Sequence, residues 1–168
     1  MPSSLASRAF AVTGGFGALG TVLGEAIMQA GARVALIGRG RAPPDVADGA
    51  LALSGVDLGD AAAARAAMDQ AARHFGRLDG LVNVAGGFEW EKIEGGDIGT
   101  WERMFAINVR TALLASQAAL PHLLARGSGR IAEFAQRGMP WVGRSGAVKR
   151  AFIERAMGLA GELPAAAR

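Results

Sequence analysis

Residues 9–20 read Ala-Phe-Ala-Val-Thr-Gly-Gly-Phe-Gly-Ala-Leu-Gly, and the fold prediction extends outward from them. The apolar run Ala9–Thr13 is typical of a buried strand, and the glycines after it indicate a tight turn. Beyond the turn, apolar residues recur at helical spacing as far as Gly31, a residue type that often ends helices. A strand, a glycine-rich turn and a helix in this order begin a βαβ unit. The apolar positions expected on the buried face of that helix are Leu19, Val22, Leu23, Ala26, Ile27 and Ala30.

The turn after the first strand has the composition of a phosphate-binding turn. Glycines allow the chain to turn tightly and let a pyrophosphate approach the bare backbone. The N-terminus of the following helix adds unpaired N–H groups and the positive end of a helix dipole. We therefore predict a dinucleotide site at this turn. The alternative is a loop that does no more than connect the strand to the helix.

Short apolar runs alternate with helical patterns along the rest of the chain. This alternation predicts an α/β protein with a Rossmann-like, doubly wound parallel sheet of about five strands in a three-layer αβα arrangement. No linker divides the chain, so we expect a single domain over residues 1–168. Further strands are predicted at 33–37, 50–56, 81–85 and 130–135. Helices are predicted at 61–75 between an Asp60 cap and Gly76, at 100–125 with a bend near Pro121, and at 145–163.

Composition excludes several classes of protein. About half of the 168 residues are hydrophobic and a fifth are charged, which is typical of a folded globular chain. No apolar stretch is long enough for a membrane span, and the N-terminus does not resemble a signal peptide. The absence of cysteine excludes disulfides and is consistent with a cytoplasmic protein. We expect His74 and His122 on helix surfaces and no metal site.

The sequence pI of 10.5 does not indicate a nucleic-acid-binding protein. The formal net charge is +3, and the basic residues are scattered along the chain without forming a run. With neither cysteine nor tyrosine, few groups titrate above neutrality, so the pI is high even at this small net charge. We therefore expect no nucleic-acid partner and no membrane partner.

The end of the second strand indicates which dinucleotide is bound. A site for the unphosphorylated cofactor usually has a carboxylate there, which accepts hydrogen bonds from the ribose 2′-hydroxyl. In this sequence Gly38 and Arg39 follow the strand, with Arg41 nearby, and no carboxylate is present. An arginine suits a 2′-phosphate, so NADP is favoured and NAD stays possible. The alternative for Arg39 is a solvated surface cation.

These motifs together resemble the short-chain dehydrogenase/reductase family over residues 8–163. The turn is similar to the family's Thr-Gly-x-x-x-Gly-x-Gly motif, although Ala18 stands where the middle glycine is expected. Residues 83–86 are similar to its Asn-Asn-Ala-Gly motif, and residues 57–58 to its adenine-contacting pair. The resemblance implies that the cofactor is bound by Thr13, Gly14, Phe16, Gly17, Leu19, Gly20, Arg39, Asp57, Leu58, Asn83, Ala85, Gly86 and Lys149.

The last part of the chain departs from the family's catalytic pattern. The family has a Tyr-x-x-x-Lys pair, and the aligned residues here are Ser145 and Lys149. The family's catalytic serine aligns at or near Gln136, while Asn108 matches the asparagine that anchors a proton-relay water. The resemblance thus implies a catalytic set of Asn108, Gln136, Ser145 and Lys149. The chain contains no tyrosine, and an alkyl hydroxyl does not titrate near neutral pH as a lysine-assisted phenol does.

Three hypotheses for the function follow. The first is an NADP(H)-dependent oxidoreductase that moves hydride between nicotinamide and a small carbonyl or alcohol substrate, with turnover weakened by the missing phenol. The second is a non-catalytic dinucleotide-binding sensor or partner subunit. The third is an incomplete product, such as a truncated gene or a reading frame shifted after about residue 131. The resemblance also implies a homodimer or homotetramer that pairs the helix at 100–125 and the last helix across a two-fold axis.

Overall fold

The computed structural model describes residues 5–44, 46 and 49–133, all within a compact unit that ends at Ala135. The single-domain prediction for residues 1–168 stays a prediction, because residues 134–168 lie outside the described part. The predicted helix at 145–163 also falls there. The elements are β1 (Ala9–Thr13), α1 (Ala18–Gln29), β2 (Arg33–Ile37), β3 (Leu51–Leu53), α2 (Ala61–Phe75), β4 (Gly80–Asn83), α3 (Ile98–Phe105), a π-helical segment (Ala106–Arg110), α4 (Thr111–Ala125) and β5 (Arg130–Glu133).

The five strands form one sheet in the order β3-β2-β1-β4-β5, and every adjacent pair is parallel. The α1 helix packs on β1 and β2, while α2 and α4 pack on each other and on the sheet. This confirms the Rossmann-like α/β prediction. The strand order changes direction between β1 and β4, whose last residues Thr13 and Asn83 are paired in register. Ligands of open α/β sheets bind at such a point, outside the carboxyl ends of the strands.

The core lies between the sheet and the pair of helices α2 and α4. All five residues of β1 are buried, as expected for a central parallel strand covered on both faces. On α4, Ala115, Ala119 and Leu123 are buried at a spacing of four residues and face the buried side of α2. Met68 of α2 is fully buried among them, and burying a side chain of this size contributes roughly 1.5–3 kcal/mol.

Two predictions about helix surfaces were wrong. Val22 is 38 % exposed, because the buried face of α1 is formed by Leu23, Ile27 and two glycines, Gly20 and Gly24. His122 is partly buried rather than on the surface. Its Nε2 lies 2.7 Å from the Asp69 carboxylate, so this pair links α4 to α2.

Two predicted strands are longer in the sequence analysis than in the structure. The strand at 50–56 is reduced to β3, because Gly55 adopts a left-handed backbone with φ of +72° and ends the extended chain. The strand at 81–85 is shifted to Gly80–Asn83. It stops there because the N–H groups of Val84 and Ala85 donate to the Thr13 hydroxyl instead of joining the sheet. Residues 134–135 of the predicted fifth strand lie outside the described part.

The predicted helix at 100–125 is divided into three segments. It begins at Ile98, because the Asp97 side chain accepts the N–H of Gly99 and caps α3. The π-helical segment then separates α3 from α4, and the hydrophobic pattern did not predict it. The caps predicted for α2 are confirmed: Asp60 accepts the N–H of Ala63, and Gly76 has φ of +69°. In the part of the chain that the structure describes, no helix has the length and hydrophobicity required to cross a bilayer.

Asp79 is a buried carboxylate at the start of β4. It accepts the N–H of Ala9 at 2.9 Å and two hydrogen bonds from Arg77 at 2.6 and 2.7 Å. Burial opposes its ionisation, but the Arg77 and Ala9 hydrogen bonds and the charges of Arg77 and Arg126 outweigh burial and lower the Asp79 pKa. A carboxylate with a lowered pKa stabilises the fold above its unfolded pKa, and this stabilisation is lost as pH falls toward the folded value.

We predict that Asp79→Asn lowers the free energy of unfolding at pH 7 by about 2 kcal/mol, because an amide cannot accept both Arg77 hydrogen bonds. The difference from wild type should shrink as pH falls below about 4 toward the lowered pKa of the folded carboxyl, where wild type loses this charge. Urea unfolding between pH 7 and pH 3 measures both effects. Glu102→Gln is the control, because Glu102 is exposed on α3. A deficit independent of pH would contradict the role of the charge.

Candidate functional site

The turn from Gly14 to Gly17 and the first turn of α1 are packed too closely against their neighbours for side chains at Gly14 and Gly20. Gly14 has φ of +63°, and a methyl group there would lie 2.8 Å from the backbone nitrogen of Ala85. A methyl group at Gly20 would overlap the carbonyl oxygen of Gly14. The glycines thus let the turn, the chain after β4 and the first turn of α1 meet closely, as predicted for this stretch.

The N-terminus of α1 is open to an anion. No side chain caps it and its first turn has no acidic residue, whereas Asp60 and Asp97 cap α2 and α3. The first N–H groups of a helix have no acceptor within the helix, and the helix dipole is positive at this end. Ala18 is exposed and has no left-handed backbone, so the methyl group at the family's glycine position causes no strain. This end of α1 therefore has the properties of a phosphate site.

Thr13 and Asn83 fix the carboxyl ends of β1 and β4. The Thr13 hydroxyl accepts the N–H groups of Val84 and Ala85 at 3.1 and 3.2 Å and donates to Asn83 Oδ1 at 3.3 Å. Asn83 Nδ2 in turn donates to Ser116 Oγ on α4 at 3.0 Å. Both side chains are almost fully buried. They hold the backbone at the point where the strand order changes.

Asn108 lies in the π-helical segment and binds the loop that follows β4. Its Nδ2 donates to the carbonyl oxygens of Gly87 and Met104, each at 2.9 Å, and its Oδ1 accepts the N–H of Gly87 at 3.2 Å. The side chain therefore holds backbone on a neighbouring segment. Its part in a proton relay stays a prediction.

The remaining predicted cofactor residues that the structure describes lie in three surroundings. Arg39 is exposed and makes no hydrogen bond or ion pair with a described residue. Asp57 is exposed and accepts the N–H of Gly59, whereas the Leu58 side chain is buried in the core, which leaves its backbone for ligand contact. Phe16, Leu19 and Ala85 are half-buried, and Gly17 and Gly86 are exposed, at or beside the turn. Gln136, Ser145 and Lys149 lie outside the described residues.

The sequence analysis missed how the loop after β4 is attached to α3. Arg103 bonds the Glu89 carboxylate at 3.2 Å, and Met104 Sδ accepts the N–H of Glu89 at 3.1 Å. Met104 and Asn108 lie four residues apart, a helical spacing that is visible in the sequence but by itself does not identify their partner. The attached loop carries Phe88 and Trp90, which are 72 % and 69 % exposed. No group of three potential metal ligands occurs within the described ranges.

Comparison with known proteins identifies the family. The family model for short chain dehydrogenases matches residues 8–165, which is nearly the whole chain. The chain belongs to the short-chain dehydrogenase family. A crystal structure of an NADPH-dependent 3-quinuclidinone reductase from Rhodotorula rubra is similar to it, with a TM-score of 0.67 and 26 % identity over 79 % of this chain and 53 % of that one.

Two curated relatives come from Xanthobacter autotrophicus. The chain is 37 % identical to 2-(S)-hydroxypropyl-CoM dehydrogenase 3 over 141 residues, which cover 80 % of this chain and 55 % of the relative. It is 40 % identical over 116 residues to a protein named inactive 2-(S)-hydroxypropyl-CoM dehydrogenase 2, with 67 % and 50 % of the two chains covered. The short-chain dehydrogenase described here thus spans about half the length of these relatives.

We predict that Gly20→Ala lowers the free energy of unfolding by about 2 kcal/mol, because the added methyl group forces the turn away from α1. Gly40→Ala should change it by less than about 0.5 kcal/mol, since no atom lies within 4 Å of a methyl group added there. Chemical denaturation of both variants measures the difference. Equal stability of the two variants would show that the turn does not require the close approach.

Proposed function

We propose that this short-chain dehydrogenase binds NADP(H), with NAD as the weaker ligand, and moves hydride between nicotinamide and a small carbonyl or alcohol substrate. One observation carries the proposal. A glycine turn leads into an uncapped helix N-terminus at the point where the sheet reverses its strand order. Backbone amides and a helix dipole at this place suit a pyrophosphate.

The residues around the turn fit a phosphorylated dinucleotide. The first turn of α1 would hold the diphosphate with backbone N–H groups, and the glycines of the turn would let it approach. The Gly17 N–H itself donates to the Gly14 carbonyl oxygen at 3.0 Å and closes the turn. Arg39, exposed and without a described partner, would bind a 2′-phosphate. The NADPH dependence of the similar reductase from Rhodotorula rubra supports this preference.

The nicotinamide of a bound cofactor would supply or accept the hydride, and the protein must handle the accompanying proton. The sequence has no tyrosine for this step. The Ser145 hydroxyl does not titrate in the working range, so Lys149 is left as the group that can exchange a proton or bind the nicotinamide ribose. The Gln136 amide can donate a hydrogen bond to a substrate carbonyl. Asn108 holds the loop backbone beside β4.

A second candidate is a dinucleotide-binding protein that does not turn over substrate. Two observations favour it: the tyrosine is missing from the sequence, and one relative is named inactive. Such a protein would retain the diphosphate site and act as a sensor or as a partner subunit. We also propose a cytoplasmic location, which rests on the absence of cysteine.

Calorimetric titration with NADPH and NADH tests the cofactor proposal. We expect tighter binding of NADPH, and about 2.7 kcal/mol of added stability when its concentration is 100 times its Kd. Arg39→Gln should weaken NADPH binding about tenfold and leave NADH binding unchanged, because a charge-assisted bond is lost. Arg65→Gln is the matched control on exposed α2 surface. If neither nucleotide binds, the proposal is wrong.

Turnover separates the two candidate functions. A panel of ketones and aldehydes with NADPH should give slow oxidation of the cofactor if the protein is an enzyme, and Lys149→Ala should abolish it. Binding of NADPH without oxidation would favour the non-catalytic protein. Ser145→Tyr is expected to raise the rate if the site needs no more than a phenol.

We also propose a homodimer or homotetramer, supported by the apolar surface of the long helix. One row of large apolar side chains is 45–69 % exposed along α3, the π-helical segment and α4. Exposed apolar surface of this extent is typical of interfaces. The row is formed by Trp101, Phe105, Val109, Leu113, Leu120 and Leu124.

We predict that wild type sediments as a dimer or tetramer at micromolar concentration and that Leu113→Arg shifts it toward monomer. A desolvated, unpaired charge is costly in an apolar interface, whereas the side chain lies in water in a monomer. Analytical ultracentrifugation measures this shift, with Arg65→Glu on the exposed surface of α2 as a charge-changing control away from the row. A wild-type monomer at these concentrations would contradict the proposed assembly.

A further inference from the structure

The ring of Phe16 lies directly on the backbone of Gly38, the residue that follows β2. A methyl group added to Gly38 would lie 2.6 Å from Phe16 Cδ2 and 3.1 Å from Cε2, so the ring occupies the space where a side chain would start. Gly38 is buried and Phe16 is half-buried. Phe16 therefore covers the chain at the carboxyl end of β2.

The residue before Phe16 packs on the same strand. The N–H of Gly15 donates to the carbonyl oxygen of Ile37 at 3.0 Å, and a methyl group at Gly15 would lie 2.7 Å from Leu36 Cβ. Two consecutive residues of the phosphate turn thus contact the end of β2. This attachment of the backbone at Gly15 holds Phe16 beside the end of β2, in addition to the contact of its ring with Gly38.

The backbone polar groups of Gly38 already have partners. Its N–H donates to the carbonyl oxygen of Leu53, and its own carbonyl oxygen accepts the N–H of Val56, each at 3.1 Å. The next residue in the chain, Arg39, is exposed, and its guanidinium has no partner among the described residues. A ligand that reaches the end of β2 therefore meets an apolar ring, a backbone whose polar groups are satisfied, and the exposed Arg39.

We propose that Phe16 is a specificity-determining residue that favours a 2′-phosphate over a 2′-hydroxyl on the adenosine ribose. This inference rests on the proposed dinucleotide site. The ring keeps water and a ribose hydroxyl away from Gly38, and it lowers the local dielectric beside Arg39, which strengthens the attraction of Arg39 for a phosphate. The ring thus strengthens the contact between Arg39 and the phosphate of the ligand, and it keeps water away from the backbone of Gly38.

The proposal predicts different nucleotide preferences for variants that keep an apolar side chain over Gly38 and for variants that remove it. In Phe16→Ala, water and a 2′-hydroxyl gain access to the end of β2, and water screens the Arg39 charge. Phe16→Leu keeps an apolar side chain long enough to cover Gly38. Gly38→Ala should resemble Phe16→Ala, because the added methyl group displaces the ring from the other side.

Calorimetry with 2′,5′-ADP and 5′-ADP tests this on the whole chain without any need for turnover. Wild type should bind 2′,5′-ADP more tightly by at least about tenfold. Phe16→Ala and Gly38→Ala should reduce this ratio to about threefold or less, and Phe16→Leu should keep it within about threefold of wild type. Thermal unfolding of each variant without ligand shows that it is folded. Phe16→Val, whose side chain is too short to cover Gly38, replaces Phe16→Ala if that variant unfolds.

Two results would overturn the role of Phe16 and leave the proposed function standing. One is an unchanged binding ratio in the variants that remove the cover, with both nucleotides still bound. The other is a ratio lost as completely in Phe16→Leu as in Phe16→Ala. If wild type binds neither nucleotide, the dinucleotide site itself is wrong, and the role of Phe16 is overturned with it.

Discussion

The arrangement of the carboxyl ends of β1 and β4 depends on the hydrogen bonds of the Thr13 hydroxyl. It accepts two backbone N–H groups from the chain leaving β4 and donates to Asn83, which reaches α4. One short polar side chain thus replaces sheet hydrogen bonds at the end of β4. Because buried N–H groups without partners are costly, β4 can end here without leaving the N–H groups of Val84 and Ala85 unsatisfied.

Around the carboxyl ends of β1 and β4, the groups that hold the backbone in place differ from the groups that are left for a ligand. The glycines of the turn and the Gly15–Ile37 hydrogen bond fix the turn to β2, and Asn108 fixes the loop after β4. Within the described residues, the groups suited to a ligand have no partner: the first N–H groups of α1 and the guanidinium of Arg39. Such a site is ordered before ligand arrives, so binding requires little rearrangement of the backbone.

The parts of the fold that the sequence predicted are those set by local chemistry. The apolar run of β1, the Asp60 cap and the left-handed Gly76 each depend on neighbouring residues, and each was placed correctly. The errors arose where contacts between residues far apart in the sequence determine the local structure. The Thr13 hydroxyl ends β4 from 70 residues away, and the Asn108–Gly87 contact joins segments that sequence spacing does not connect. Likewise, Arg39 could be identified as a candidate, whereas the ring of Phe16 over Gly38 required the structure.

The π-helical segment takes up one residue without turning α3 away from the loop that it holds. A π-helical turn holds an extra residue compared with an α-helical turn, so the five residues 106–110 rotate the chain by about as much as four α-helical residues would. The side of α3 that carries Arg103 and Met104 therefore keeps nearly the same orientation relative to the core side of α4 as in a regular helix one residue shorter. A chain that lacked one residue within 106–110 could thus keep the Arg103 and Met104 attachments and the core contacts of α4.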